Sequence, residues 1–264
     1  MKHLIISAIA LTVVPLTAGV RINTEITTVP GNKTTTQEML IDSTRLRVNI
    51  DADSSVLFLT DGGRNRMVML DKRRNEYHEI DQQMMDGMGK QMQGMMAQMQ
   101  EQMKNMPPQQ REMMERMMKG KMPPMGGPPP AKTVWAAKGR STVSGFECAQ
   151  YEGTRNAQKV AEVCAASPSA LKFTAADAQI FEKMREFMAG LQDALARMPM
   201  AAGFSGSAFA DAGFEGFPVQ RVSFRDGQPS EKQELKSAAP ANFTDADFSL
   251  GNAKKVDMPM GPPR

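Results

Sequence analysis

The stretch SVLFLTDGGRNRMVML at residues 55–70 decides the fold, because it has the pattern of a β-hairpin. Two short runs rich in apolar residues, 55–59 and 66–70, flank Asp61-Gly62-Gly63, which is a turn signal. Similar short runs lie on both sides of it, at residues 20–26, 36–41, 45–50 and 75–80. The sequence therefore predicts an antiparallel meander over residues 20–80, with an apolar face that needs a cover.

The second half of the chain continues the same pattern. Strands are predicted at residues 133–136, 141–151, 158–165, 218–224 and 233–236, with a short final strand at 254–256. Between them, residues 174–198 have the apolar spacing of an amphipathic helix, with Thr174 as N-cap and Asp177 in the first turn. The predicted fold class is α+β, an antiparallel sheet covered by one amphipathic helix.

A methionine-rich stretch interrupts this pattern. Residues 84–125 hold fifteen of the 25 methionines. Seven of them fall three or four apart, as on one face of a helix: Met85, Met88, Met92, Met95, Met99, Met103 and Met106. Pro107 and Pro108 suit the first turn of a second short helix, and Gly120 suits its end. The sequence predicts a helical hairpin inserted into the sheet domain, which depends on packing against a partner because isolated helices of this length are marginal.

Three interpretations of the methionine stripe stay open. It is the buried face of an amphipathic helix, an adaptable lid over an apolar cavity, or a set of thioether ligands for Cu(I). As a lid it would place hydrophobic-ligand contacts at Met92, Met95, Met99 and Met103, facing Phe181, Met184 and Phe187 of the helix. As a copper site it would use Met92, Met95, Met96, Met99, Met113, Met114 and Met117.

The N-terminus is typical of a signal peptide. A short basic start precedes an apolar run, and small residues end it at Ala18 and Gly19. Val20 stands where a lipoprotein would carry its lipidated cysteine. We therefore expect residues 1–19 to be removed and the protein to be periplasmic and not acylated.

Export places the two cysteines, Cys148 and Cys164, in an oxidising compartment. A symmetric hairpin centred near Asn156 would set them opposite each other, which favours a disulfide over two buried free thiols. Closing a loop of this size is worth about 3 kcal/mol in the chain-entropy model.

Composition and motifs argue against several classes of function. The formal charge of +3 gives no footprint for nucleic acid. After the signal peptide, His78 is the single histidine, and the sequence has no nucleophile elbow, phosphate-binding glycine loop or zinc-ligand spacing. The sequence predicts neither an enzyme nor a cofactor.

Several short motifs together resemble a family of exported bacterial proteins called domain of unknown function 4412. They are RLRVNI at 45–50, RMVMLD at 66–71, YHEI at 77–80, MPPQQREMM at 106–114, SGFECAQY at 144–151 and GNAKKVDM at 251–258. The resemblance implies a curved half-barrel sheet similar to the periplasmic lipoprotein carriers LolA and LolB, and it supplies no catalytic residues. The expected organisation is a sheet domain in two halves, 20–82 and 131–256, with an insert and linker at 83–130 and a tail at 257–264.

The leading functional hypothesis is a non-catalytic periplasmic carrier for a hydrophobic ligand. Its partner would be a lipid, an acyl chain or an apolar protein segment, and contact with a membrane surface is compatible with this role. A Cu(I)-binding protein and a purely structural envelope protein are the alternatives. The sequence names no ligand and no oligomeric state.

Overall fold

The computed structural model describes residues 17–87, 131–196 and 213–257, together with positions 90, 94, 97, 98 and 101. These residues form a twelve-stranded sheet and one long helix, the covering helix (Ala175–Ala196). The strands are β1 (Thr17–Thr28), β2 (Lys33–Asp42), β3 (Arg45–Asn49), β4 (Ser54–Asp61), β5 (Arg64–Asp71), β6 (Glu76–Asp81), β7 (Val134–Val143), β8 (Phe146–Arg155), β9 (Gln158–Ala166), β10 (Phe217–Arg225), β11 (Gln228–Phe243) and β12 (Lys254–Lys255).

The strand order joins two meanders along one central pair. It runs β12-β6-β5-β4-β3-β2-β1-β11-β10-β9-β8-β7, and every neighbouring pair is antiparallel except β12 with β6. The hairpin predicted at residues 55–70 is confirmed as β4–β5, with Asp61 opposite Arg64 next to the turn. Long-range pairing of β1 with β11 unites the halves of the chain.

The sheet is strongly curved at its β7–β8 end. Ser144, in the turn between β7 and β8, donates a hydrogen bond of 3.1 Å to Glu234 of β11, three strands away in the sheet. In a flat sheet, strands three apart are separated by about 14 Å, so this contact requires the sheet to curl over. The curved antiparallel sheet implied by the resemblance is therefore present.

Alternating residues divide the apolar side chains between two cores. The helix-side core lies between the sheet and the covering helix and includes Met39 and Ile41 of β2. The opposite-face core includes Leu40 of the same strand, together with Phe243 and Phe248. The period-2 alternation of β2 thus supplies both faces of the sheet.

The covering helix begins where the sequence predicts. Asp177 N–H donates to Thr174 Oγ1 at 3.1 Å, and Thr174 N–H donates to Asp177 Oδ2 at 2.9 Å. This reciprocal pair satisfies two backbone donors at the first turn and ends the preceding loop. Positions 197 and 198 of the predicted helix lie outside the described residues.

Two arginines of β3 hold the C-terminal segment against the opposite face. Arg47, only 7% exposed, donates to the backbone carbonyls of Asp247 and Ser249 at 3.0 and 3.1 Å. Arg45 bonds Asp42 and Asp245 at 2.8 and 2.7 Å. The segment between β11 and β12 is thereby fixed over the opposite-face core.

The predicted disulfide is confirmed, but its register differs from the symmetric hairpin. Cys148 and Cys164 are bonded with a Cα–Cα distance of 5.3 Å. Cys164 lies opposite Gln150 instead of Cys148, so the bridge is diagonal across β8 and β9. The turn at Asn156 and Ala157, and a register shift between Gly153 and Thr154, cause this offset.

Several predicted boundaries fall at the limits of the described residues. Strand β1 begins at Thr17, so it extends across the predicted signal-peptide boundary at residue 19. Residues 82–87 are helical, and most of the predicted insert at 83–130 lies outside the described residues, as do residues 258–264 of the tail. Within the described part of the chain, no helix has the length and apolar character needed to cross a membrane.

Candidate ligand-binding interface

The helix-side core is the candidate site, because two of the three helix residues predicted to bind ligand are buried in it. Met184 is 6% exposed and Phe187 is 7% exposed, and both pack against the sheet beside Ile180 and Leu191. Phe181 is half-buried at the margin of the same core. The structure thus brings Phe181, Met184 and Phe187 to one interface.

Aromatic contacts fix the covering helix at two levels. Phe187 lies with its ring centroid 5.6 Å from that of Phe58 on β4. Nearer the helix start, the rings of Phe173, Phe181 and Phe217 pack together, with their centroids 5.1–5.6 Å apart. Tilted and edge-on pairs of this kind contribute about 0.5–1.5 kcal/mol each beyond burial.

Methionine recurs throughout the interface, beside its Ile, Leu, Val and Phe residues. Every methionine within the described residues packs in the helix-side core, although these residues come from two strands (β2 and β5), the helix and the start of the insert. They are Met39, Met67, Met69, Met84, Met85, Met184 and Met188. Methionine is unbranched and polarizable, so a core built from it repacks around different shapes more readily than one of Leu or Ile.

The methionine-rich insert leaves the sheet domain from this interface. Met84 N–H donates to the carboxylate of Asp81 at 2.7 Å, which starts the helical residues directly after β6. Met85 is 6% exposed and belongs to the helix-side core. The predicted ligand contacts and copper ligands of the insert, from Met92 to Met117, lie outside the described residues and stay predictions.

The interface is filled by the protein's own side chains. Its central residues, such as Ile22 and Ile180, are fully buried. A surface depression of about 170 Å³ lies over β8 and β9, and its lining includes Lys138, Glu152 and Glu162 together with Cys164 of this core. Three charged side chains in this lining make the depression a poor match for an apolar ligand.

The three methionines of the central strands were not singled out from the sequence. Met67 and Met69 are two apart in a strand, so they lie on one face, and Met39 of β2 belongs to the same core. The alternation Met67-Val68-Met69 is evident in the sequence. Which of the two faces of β5 lies under the covering helix depends on tertiary pairing.

Comparison with known proteins gives no family. No family model and no curated protein matches the chain. Among solved structures, an uncharacterized conserved protein from Thermus thermophilus is similar at 7% identity and TM-score 0.43, over 91% of this chain and 90% of that one. PNGF-II is similar at 11% identity and TM-score 0.41, over 92% of this chain and 31% of that one.

The Pseudomonas aeruginosa MucA/MucB complex is similar at 10% identity and TM-score 0.37, over 89% of this chain and 56% of that one. This chain therefore spans about half the length of the MucB structures and a third of PNGF-II. Because all these scores and identities are low, the likenesses assign neither a family nor a function. Membership of domain of unknown function 4412 stays a hypothesis.

Proposed function

We propose that the protein is a non-catalytic carrier that binds a long acyl chain between the sheet and the covering helix. The observation that supports this most directly is the convergence of five methionines, from β2, β5 and the start of the insert, with Met184 and Met188 of the covering helix itself. Adaptable methionine surfaces are typical of sites that accept flexible or varied apolar partners.

The opposite-face core allows the helix to move while the sheet stays folded. That core is formed without the covering helix, from residues such as Leu57, Val68 and Phe243. The hydrogen bonds of Arg47 to the C-terminal segment also lie on this face. Displacement of the helix therefore exposes one apolar face and leaves the other intact.

The energies of helix docking and acyl-chain burial are comparable. Fully burying each of the four central helix side chains is worth about 1.5–3 kcal/mol as an upper bound, or about 6–12 kcal/mol together. Each buried CH₂ of a ligand contributes about 0.8 kcal/mol, so about twelve methylenes contribute about 10 kcal/mol. An acyl chain of that length could replace the contacts that the helix loses.

The proposal is tested with a dansyl-labelled C11 fatty acid as a fluorescent probe. Met188→Glu places a charge at the half-buried margin of the helix-side core and should weaken probe binding at least about 10-fold, because an acyl chain bound there would remove water from this charge. The matched control is Leu59→Glu, at the half-buried margin of the opposite-face core, and it should leave binding unchanged. Equal effects of the two substitutions, or no binding by the natural chain, would refute the carrier.

The role of the insert needs a separate variant. Replacement of residues 88–130 by a short Gly/Ser linker keeps Met84 and Met85, which belong to the sheet domain's core. If the insert is a lid, the probe should dissociate at least about 10-fold faster from this variant, because the closed site is lost. An unchanged dissociation rate means that the insert is not the lid, while the interface itself is still tested by Met188→Glu.

A further inference from the structure

We propose that Met67, Met69 and His78 form a Cu(I)-binding site on the β5–β6 hairpin. This site uses none of the insert methionines and does not require the proposed acyl-chain function, although Met67 and Met69 belong to the same helix-side core. Its donors are two thioether sulfurs and one imidazole nitrogen, which are soft or intermediate ligands of the kind that Cu(I) prefers.

Strand register places the three donors on one face. Met69 lies directly opposite His78, and Met67 lies directly opposite Ile80. Ile80 is 4% exposed in the helix-side core, so His78, two residues earlier, lies on that same face. Directly opposite residues in an antiparallel pair have Cβ atoms about 4.5–5.5 Å apart, and diagonal neighbours about 7–8 Å apart. Flexible methionine side chains can bring two sulfurs and one ring nitrogen onto a single ion across these distances.

The orientation of His78 favours metal binding. Its Nδ1 lies 3.0 Å from the backbone carbonyl oxygen of Val256. A carbonyl only accepts hydrogen bonds, so Nδ1 carries the proton and Nε2 of the neutral ring has a free lone pair. Metal-binding histidines are commonly held in this way, by a hydrogen bond from the other ring nitrogen to a carbonyl or carboxylate. Val256, which directly follows β12, thus fixes the orientation of the imidazole.

The donor set selects for a soft, monovalent ion. All three donors are uncharged, and Met67, Met69 and His78 are half-buried, which leaves the site accessible but partly shielded from water. Among the described residues, no group of three or more His, Cys, Asp and Glu side chains could hold a metal ion. Harder divalent cations would lack the oxygen ligands that they prefer.

The site is tested by anaerobic titration of the full chain with Cu(I), kept reduced by ascorbate, against a chromophoric Cu(I) chelator. Met67→Leu/Met69→Leu keeps the volume of the side chains while removing both sulfurs, which core positions tolerate well. His78→Asn keeps an N–H donor near Val256 but has no counterpart of Nε2. Each variant should lose one bound ion, or bind it at least about 100-fold more weakly, since loss of even a supporting partner costs 10- to 100-fold.

Met39→Leu is the control, because it removes a sulfur from the same core on β2, away from the β5–β6 hairpin. It should keep the full number of bound ions. A change in the ¹⁵N resonance of His78 Nε2 on addition of one equivalent of Cu(I) would support the site without any substitution. Full Cu(I) binding by His78→Asn, an equal loss in Met39→Leu, or an unchanged His78 resonance would overturn the proposal.

Discussion

Substitution of Phe187 by Ala should release the covering helix without unfolding the sheet. Phe187 is 7% exposed, and its ring centroid lies 5.6 Å from that of Phe58. Phe→Ala at a buried site costs about 3–5 kcal/mol. If that cost falls on helix docking alone, the open population of the helix rises about 100- to 4000-fold, since each 1.4 kcal/mol is a factor of ten.

Hydrogen exchange followed by mass spectrometry measures this effect directly. Peptides from residues 175–196 should lose protection in Phe187→Ala, while peptides from β1 to β4 keep theirs. The matched control is Phe248→Ala, because Phe248 is 5% exposed in the opposite-face core. It should loosen residues 244–250 and leave the helix protected. Equal loss of protection throughout the sheet in Phe187→Ala would refute the separation of the two cores.

Three further predictions concern the sheet itself. Arg47→Ala should lower the free energy of unfolding by about 1–3 kcal/mol, because it removes the charged donor of two part-buried hydrogen bonds to backbone carbonyls, as chemical denaturation would show. The pKa of Glu234 is lowered from 4.5 to about 2 by hydrogen bonds from Lys232 and Lys236. Its contribution is therefore complete above about pH 4.5 and lost as the pH falls towards 2, so Glu234→Gln should flatten the acid dependence of unfolding. Replacing both cysteines by Ser should cost about 3 kcal/mol, measured without reductant.

Each of these predictions has a control. Arg47→Lys keeps the charge but loses the planar guanidinium group that donates to both carbonyls. It should therefore recover only part of the stability that Arg47→Ala loses. Lys236→Met, which removes one of the two lysine hydrogen bonds to Glu234, should flatten the acid slope only in part. For the disulfide, adding reductant to the natural chain should lower its stability towards that of the Ser variant, which should not respond to reductant. An unaltered acid slope in Glu234→Gln, or an equally stable Ser variant, would contradict these assignments.

The strands and the covering helix were predictable because strand alternation and helix caps are formed by residues that are close in the sequence. Alternation at residues 55–70 and the Thr174–Asp177 cap needed no knowledge of distant partners. Pairing of β1 with β11 joins residues more than 200 positions apart, and no local pattern encodes it. The parallel pairing of β12 with β6 was not predictable for the same reason, because the two strands are far apart in the chain.

The candidate site was only partly predictable for the same reason. The apolar face of the covering helix was evident from spacing, so Met184 and Phe187 were found. Arg47 resembles a residue of a solvated strand face, yet it is 7% exposed because a distant C-terminal segment covers it. The sequence alone does not single out His78 as a ligand, since its neighbours Met69 and Val256 lie elsewhere in the chain.

The location of the bound acyl chain is the most direct test of the carrier proposal. A photoreactive fatty acid would be bound to the full chain, cross-linked by light, and its attachment sites mapped by mass spectrometry. We expect cross-links on the covering helix and on β2 and β5, which contribute to the helix-side core. Cross-links confined to residues 244–250, or spread without preference over the surface, would contradict the account.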